Sequence, residues 1–135
     1  IRVARYDATL AAGAGSWNEG RRRVGDMPFS RDFFLKRLGR PSGAGFSVLE
    51  AGGDSMLSTI HDGDPLLVDE NDNRITDGVF AFVLDGEARV KRFRRTLSGL
   101  TIISDNPVYP TEELPTEQLD RISIIGRVRW VGQVI

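Results

Sequence analysis

The chain has 135 residues, the size of one domain with a buried core, and 40% of them are hydrophobic, which excludes a disordered chain. It contains no cysteine, which excludes a disulfide framework, a thiolate metal site and a cysteine nucleophile, and this absence fits a cytoplasmic protein. The net charge is −1, without the basic surplus typical of a nucleic-acid-binding face.

In residues 1–10, apolar and polar residues alternate loosely. A run of small residues follows, Ala11-Ala12-Gly13-Ala14-Gly15-Ser16. One interpretation is a flexible joint, because glycine and small residues accept many backbone angles. The other is a cleavage site at Ala12-Gly13, because an extended Ala-Gly peptide fits deep in a cleft, within ~3 Å of a nucleophile. We expect residues 1–16 to be a linker and cleavage-loop segment, and residues 17–135 to form the folded domain.

Only one helix is predicted, and it follows a polar stretch. Residues 17–27 indicate a loop with one short strand. The helix is capped by Ser30 at its start and ends at Gly39. Such a short helix must dock on a sheet to be stable. Its predicted apolar face consists of Phe34, Leu35 and Leu38.

From Phe46 onward the pattern changes to short apolar segments separated by turn residues. These segments are 46–50, 65–68, 79–84, 87–93, 100–104, 121–125 and 128–135. Between two of them, Asp85-Gly86 is a strong signal for a two-residue hairpin. Strands at such spacing, together with one helix, predict a mainly antiparallel β domain.

An acidic turn at residues 69–74 suggests a calcium loop, but its spacing excludes one. The sixth loop position requires glycine and is Arg74, and the twelfth requires glutamate and is Phe80. His61 is the only histidine, so we interpret it as a surface residue with no second histidine to share a metal. We therefore predict neither a metal nor a cofactor.

A serine and a lysine are the candidate catalytic residues. Ser55, in Gly53-Asp54-Ser55-Met56, is by itself typical of a turn residue whose hydroxyl bonds nearby amides. Lys91, in the second strand of the predicted hairpin, is by itself typical of a solvated strand lysine. In combination they are what a serine nucleophile with a lysine base requires.

Together these motifs resemble one family. Gly53-Asp54-Ser55-Met56 and Val90-Lys91-Arg92-Phe93 are similar to the sequences around the serine and lysine of the self-cleaving domain shared by LexA, the lambdoid phage repressors and the UmuD proteins. Residues 103–110 and 125–128 also match the phage-repressor branch, so the resemblance covers nearly the whole chain. The departure is Leu57-Ser58-Thr59-Ile60, where the family usually has a proline shortly after the methionine.

This resemblance implies a fold and a mechanism. The fold is a mainly β, LexA- and signal-peptidase-like domain of coiled antiparallel sheets with one short helix. Ser55 is implied to be the nucleophile of a serine peptidase, Lys91 its general base, and the backbone amides of Asp54 and Ser55 the oxyanion site. Self-cleavage is implied at Ala12-Gly13, because cleavable relatives are cut at Ala-Gly or Cys-Gly upstream of the serine.

A lysine acts as a base only when it is neutral, so the pKa of Lys91 must fall by several units from ~10.4. Strand alternation places Arg89, Lys91 and Phe93 on one face of the strand. We expect Phe93 to desolvate the Lys91 ammonium group and Arg89 to repel it, and both effects lower its pKa.

The resemblance also implies partners and a biological role. We expect the autoproteolytic and dimerisation domain of a phage or SOS-type transcriptional repressor, acting as a homodimer. A RecA filament on single-stranded DNA is the implied co-protease. Operator DNA is bound through a helix-turn-helix domain expected before Ile1.

Three alternatives stay open or are disfavoured. A catalytically silent dimerisation module needs neither Ser55 nor Lys91. A UmuD-type polymerase accessory protein is disfavoured because residues 106–110 look more like those of repressors. A signal peptidase carries a membrane anchor, whereas no run in this sequence approaches ~18 apolar residues, so we expect no membrane association.

Overall fold

In the computed structural model of the protein, residues 1–7 and 21–135 are described, and these residues form one sheet of nine strands. The strands are β1 (Arg2–Asp7), β2 (Arg22–Pro28), β3 (Phe46–Glu50), β4 (Pro65–Asp69), β5 (Gly78–Leu84), β6 (Glu87–Thr96), β7 (Gly99–Ile103), β8 (Glu112–Pro115) and β9 (Ile122–Val131). Their spatial order is β2-β1-β3-β4-β9-β5-β6-β7-β8. All neighbours are antiparallel except β1 and β3, which confirms the predicted mainly antiparallel β class.

The predicted helix, here named α1, is confirmed between Ser30 and Gly39. It begins with an α-helical turn, Arg31–Phe33, and continues as a π-helical turn, Phe34–Leu38. Ser30 Oγ accepts a hydrogen bond from the backbone N–H of Phe33 at 3.0 Å, which satisfies a donor at the helix start. Gly39 ends the helix at a φ of 69°, a left-handed conformation that glycine adopts at little cost.

One side of α1 packs on the sheet. Phe34 and Leu38 are buried in a cluster with Phe46 and Leu67. Leu35 was predicted to share this face and is 59% exposed, so that part of the prediction was wrong. Successive residues of a helix point in different directions around its axis, so Leu35 turns away from the face that Phe34 and Leu38 share.

The segment before the helix contributes two strands. Residues 2–7, predicted as part of a linker and cleavage-loop segment, form β1 and pair antiparallel with β2 and parallel with β3. Val3, 2% exposed, fixes β1 in the cluster beneath α1. β2 occupies much of the stretch predicted as a loop with one short strand, because pairing with β1 satisfies its backbone although most of its side chains are exposed. The predicted boundary at residue 16 lies outside the described residues.

The last strand is continuous. Two strands were predicted, at 121–125 and 128–135, but β9 runs through both regions with Gly126 inside it, so the predicted break was wrong. A Cβ on Gly126 would lie 2.3 Å from the carbonyl oxygen of Asp69 in β4. This glycine therefore marks the close approach of two strands rather than a turn.

The predicted hairpin joins β5 to β6. Asp85 and Gly86 have φ of 51° and 82°, and positive values at both positions are what a tight type I′ turn requires. The register pairs Leu84 with Glu87 and Phe80 with Lys91. The hairpin thereby fixes where Lys91 lies along the sheet.

No helix in residues 1–7 and 21–135 combines the length and the apolar character needed to cross a membrane.

Candidate active site

A groove lies between β6 and the loop that follows β3, residues 51–64, here called the serine loop. The groove has a volume of about 920 Å³, and both Ser55 and Lys91 line it. The structure thus brings the two predicted catalytic residues into one site. The charged and hydroxyl side chains of its lining are Glu50, Ser55, Asp62, Glu87, Arg89 and Lys91.

Two buried side chains and a backbone hydrogen bond hold the serine loop in place. Met56 and Ile60 are 4% and 2% exposed and belong to a cluster of buried hydrophobic residues. At the base, the backbone N–H of Ala51 donates to the carbonyl of Asp64 at 2.9 Å. These contacts hold Ser55 at the groove with its side chain partly exposed.

Lys91 is half-buried, and its ammonium group bonds to a residue that the sequence did not single out. Lys91 Nζ donates to Ser104 Oγ at 2.9 Å. It does not bond to Ser55, whose hydroxyl makes no hydrogen bond within the described part of the chain. The two predicted catalytic side chains therefore share a groove without a direct hydrogen bond.

The surroundings of Lys91 favour its neutral form. Burial lowers the pKa of Lys91, and the positive charge of Arg89 lowers that pKa further, while the carboxylate of Glu112 acts in the opposite direction. The direction of the shift and the role of Arg89 are as expected. Phe93 lies in the core against the Phe80 ring, at a centroid distance of 5.0 Å.

A second loop, residues 104–109 after β7, touches both candidate catalytic residues. Ser104 accepts the hydrogen bond from Lys91, and the Tyr109 ring covers Lys91 with its centroid 5.7 Å from Nζ. In the sequence, residues 103–110 resembled the phage-repressor branch, but no role was predicted for them. The available signal was three successive polar residues, Ser104-Asp105-Asn106, directly after an apolar strand.

Asp105 ties this 104–109 loop to both sides of the groove. Its carboxylate accepts from Arg92 Nε at 2.9 Å and Nη2 at 2.8 Å, and from Thr59 Oγ1 of the serine loop at 2.6 Å. The hydrogen bonds from Arg92 lower the pKa of Asp105, so the carboxylate stays ionised. The clamp fixes the distance between β6 and the serine loop.

Asn106 and Tyr109 contact the predicted oxyanion segment. The backbone N–H of Asn106 donates to the Ser55 carbonyl at 3.0 Å, and Asn106 Nδ2 donates to the Asp54 carbonyl at 3.0 Å. The Tyr109 hydroxyl donates to the Asp54 carboxylate, and that bond raises the pKa of Tyr109. Two successive residues of the serine loop are therefore held from one side.

Of the other predicted positions, only His61 is among the described residues, and it does not line the groove. His61 is exposed, as predicted, and its Nδ1 contacts Gln133 Nε2 at 2.6 Å rather than any residue of the groove. Ala12 and Gly13, the predicted cleavage site, lie outside the described residues.

We expect Arg89→Met to raise the pKa of Lys91. The substitution removes the cation that repels the ammonium, and it frees Glu112 from the 3.1 Å ion pair with Arg89. A carbon-13 NMR titration of the Lys91 ε-methylene measures the shift directly. Glu112→Gln is the matched variant of opposite sign and should lower that pKa. If both variants moved the pKa in one direction, the proposed electrostatic causes would be wrong.

Comparison with known families gives one match over nearly the whole chain. The profile of the Peptidase S24-like family matches residues 5–129. This range includes the serine loop, β6 and the 104–109 loop.

Curated relatives are regulators and repressors. An uncharacterized HTH-type transcriptional regulator of Haemophilus influenzae is 36% identical over 126 residues, which are 91% of this chain and 52% of that protein. The repressor protein CI of Enterobacteria phage phi80 is 33% identical over 92% of this chain and 52% of its own length. A LexA repressor of Bifidobacterium longum is 38% identical over 46% of this chain and 26% of its own. The chain spans about half the length of the first two relatives.

Proposed function

The chain belongs to the Peptidase S24-like family, and from this membership we propose that it is the self-cleaving C-terminal domain of a transcriptional repressor. Ser55 is the nucleophile, Lys91 is its general base, and the bond between Ala12 and Gly13 is the one cleaved. The names of the relatives, a phage repressor CI and a LexA repressor, support the repressor assignment.

The observation that carries the proposal is the direction of β1. It runs parallel to β3, with Arg5 opposite Val48 and Tyr6 opposite Leu49. Parallel strands end at the same edge of a sheet. The chain therefore leaves β1 at Asp7 on the edge where β3 leads into the serine loop.

The distance along the chain is also suitable. Ala12 follows Asp7 by five residues, and an extended chain spans at most ~3.3–3.6 Å per residue, so the segment can reach roughly 17 Å from Asp7. Leu49 and Glu50 line the groove and lie at the same edge as Asp7. The end of β1 beside the groove supports intramolecular attack, which gains from a high effective concentration.

The chemistry follows from the groups at the groove. Neutral Lys91 takes the proton from Ser55 Oγ, and Oγ attacks the carbonyl carbon of Ala12. The backbone N–H groups of Asp54 and Ser55 donate to the resulting oxyanion. The bond to Gly13 then breaks, its nitrogen takes the proton from the Lys91 ammonium, and water hydrolyses the acyl-serine.

The bond between Lys91 and Ser104 describes a resting state in this scheme. Before cleavage, Lys91 Nζ must lose its proton and turn from Ser104 Oγ to the Ser55 hydroxyl. The lowered pKa of Lys91 reduces the cost of the first step. Because Lys91 must deprotonate and turn before attack, we expect slow cleavage in the absence of a trigger.

The test is incubation of the purified chain at neutral and alkaline pH, followed by intact-mass spectrometry under denaturing conditions. Fragments 1–12 and 13–135 are expected, and they should form faster at high pH as the neutral fraction of Lys91 grows. Denaturing conditions are needed because β1 is paired on both sides and fragment 1–12 can stay bound. No fragments at any pH, with or without a RecA filament, would favour the alternative of a silent dimerisation module.

The partners are part of the same proposal. The domain forms a homodimer, responds to a RecA filament on single-stranded DNA, and brings a helix-turn-helix domain to operator DNA. The relative named as an HTH-type transcriptional regulator supports the last of these. Sedimentation analysis of the purified chain tests the dimer, and its cleavage rate with and without the filament tests the co-protease.

A further inference from the structure

We infer that Asn106 is a positioning residue for self-cleavage, because it orients the peptide whose N–H donates to the oxyanion. This inference rests on the proposed function and adds a residue to it. Among the described residues, Asn106 makes no hydrogen bond to the hydroxyl of Ser55. It acts through the backbone of the serine loop.

Asn106 holds the carbonyls of two successive residues. Its backbone N–H donates to the Ser55 carbonyl and its Nδ2 donates to the Asp54 carbonyl, each at 3.0 Å. One residue thus fixes two consecutive peptide groups on either side of the nucleophile. A peptide plane fixed by its oxygen cannot rotate without breaking the bond.

The peptide between Asp54 and Ser55 has a geometry that links its carbonyl to its N–H. The peptide between Asp54 and Ser55 is trans, and in a trans peptide the N–H points opposite to the C=O. Because the Asp54 carbonyl faces Asn106, the N–H of Ser55 points away from Asn106. That N–H is one of the two proposed oxyanion donors. Asn106 sets its direction together with the backbone N–H of Leu57, which donates to the same Asp54 carbonyl at 3.3 Å.

Asn106 is itself preorganised. Its Oδ1 accepts from the backbone N–H of Val108 at 3.2 Å, and Pro107 restricts Asn106 to extended conformations. On its other side, Asp105 is clamped by Arg92. The side-chain amide therefore reaches the serine loop from a rigid base, and little conformational entropy is lost when it bonds.

The test compares Asn106→Asp with Asn106→Ala. Aspartate keeps the oxygen that accepts from Val108 and replaces the donor to the Asp54 carbonyl, whereas alanine removes the donor without adding charge. Both should lower the plateau rate of self-cleavage at alkaline pH by about tenfold to a hundredfold. Asn106→Ala should leave the pH midpoint of cleavage unchanged, because Asn106 makes no hydrogen bond to Lys91 and is not among the groups that shift its pKa. Asn73→Asp adds the same charge at an exposed asparagine outside the groove and should change neither quantity.

A second measurement does not depend on cleavage. Hydrogen–deuterium exchange of residues 53–59 should be faster in both Asn106 variants and unchanged in Asn73→Asp. Unchanged exchange would overturn the inference alone. Faster exchange with an unchanged plateau rate would also overturn it, because the loop would then be held without consequence for the oxyanion. A parent chain that neither cleaves nor reacts with a fluorophosphonate serine probe would overturn the proposed function, and with it the positioning role of Asn106.

Discussion

Replacement of Ser55 by alanine is expected to abolish self-cleavage between Ala12 and Gly13, with a rate loss of more than about a thousandfold. The substitution removes the only atom that can form the acyl intermediate in the proposed mechanism. The hydroxyl makes no hydrogen bond within the described residues, so the free energy of unfolding should change by less than about 0.5 kcal/mol. Intact-mass spectrometry after alkaline incubation measures the first effect and thermal denaturation the second.

The matched control is Ser58→Ala, an exposed serine three positions further along the serine loop. It should cleave at the parental rate. Equal cleavage by the parent and the Ser55→Ala chain would show that another group is the nucleophile.

Replacement of Lys91 by arginine should also abolish cleavage. Arginine keeps the positive charge but stays protonated at every accessible pH, so it cannot accept the proton of Ser55. Lys91→Met, which keeps the length and loses the amine, should be equally inactive. Residual activity in the arginine variant would exclude a lysine base, since that variant retains the charge and loses only basicity.

The pH dependence of the cleavage rate in the parent chain also tests whether Lys91 is the base. Burial and Arg89 lower the pKa of Lys91, so the cleavage rate should rise with pH through that lowered pKa and level off above it. In the window between the folded pKa and the higher unfolded pKa, the unfolded chain binds more protons. The free energy of unfolding should therefore increase with pH across that window, and Lys91→Met should remove this contribution. A flat rate profile would contradict the proposed base.

Local features of the sequence predicted their structures well. Asp85 and Gly86 form the expected hairpin, because the positive φ that a tight turn needs is a property of those residues themselves. Ser30 and Gly39 bound the helix for the same reason: a cap acts on backbone groups within three residues. The family motifs around Ser55 and Lys91 were visible because each is a short contiguous stretch.

Predictions failed where a distant segment decided the outcome. Two strands were predicted at 121–125 and 128–135, yet β9 is continuous, and Gly126 lies within it where the backbone of β4 passes too close for a side chain. Leu35 was assigned to the buried face of the helix, but the direction of that face depends on where α1 docks. Both outcomes depend on segments that are distant in the sequence.

The sequence by itself determined the class of fold, the candidate nucleophile and base, and the expected depression of the Lys91 pKa. These depend on residue type and local pattern. Only the tertiary structure decided that β1 runs parallel to β3, so that the chain leaves the sheet beside the groove. It also decided that the 104–109 loop holds both sides of the site, with Lys91 bonded to Ser104 and Asn106 bonded to the serine loop. Such contacts join segments far apart in the chain, and their formation depends on the order of strands in the sheet rather than on any stretch that a pattern can identify.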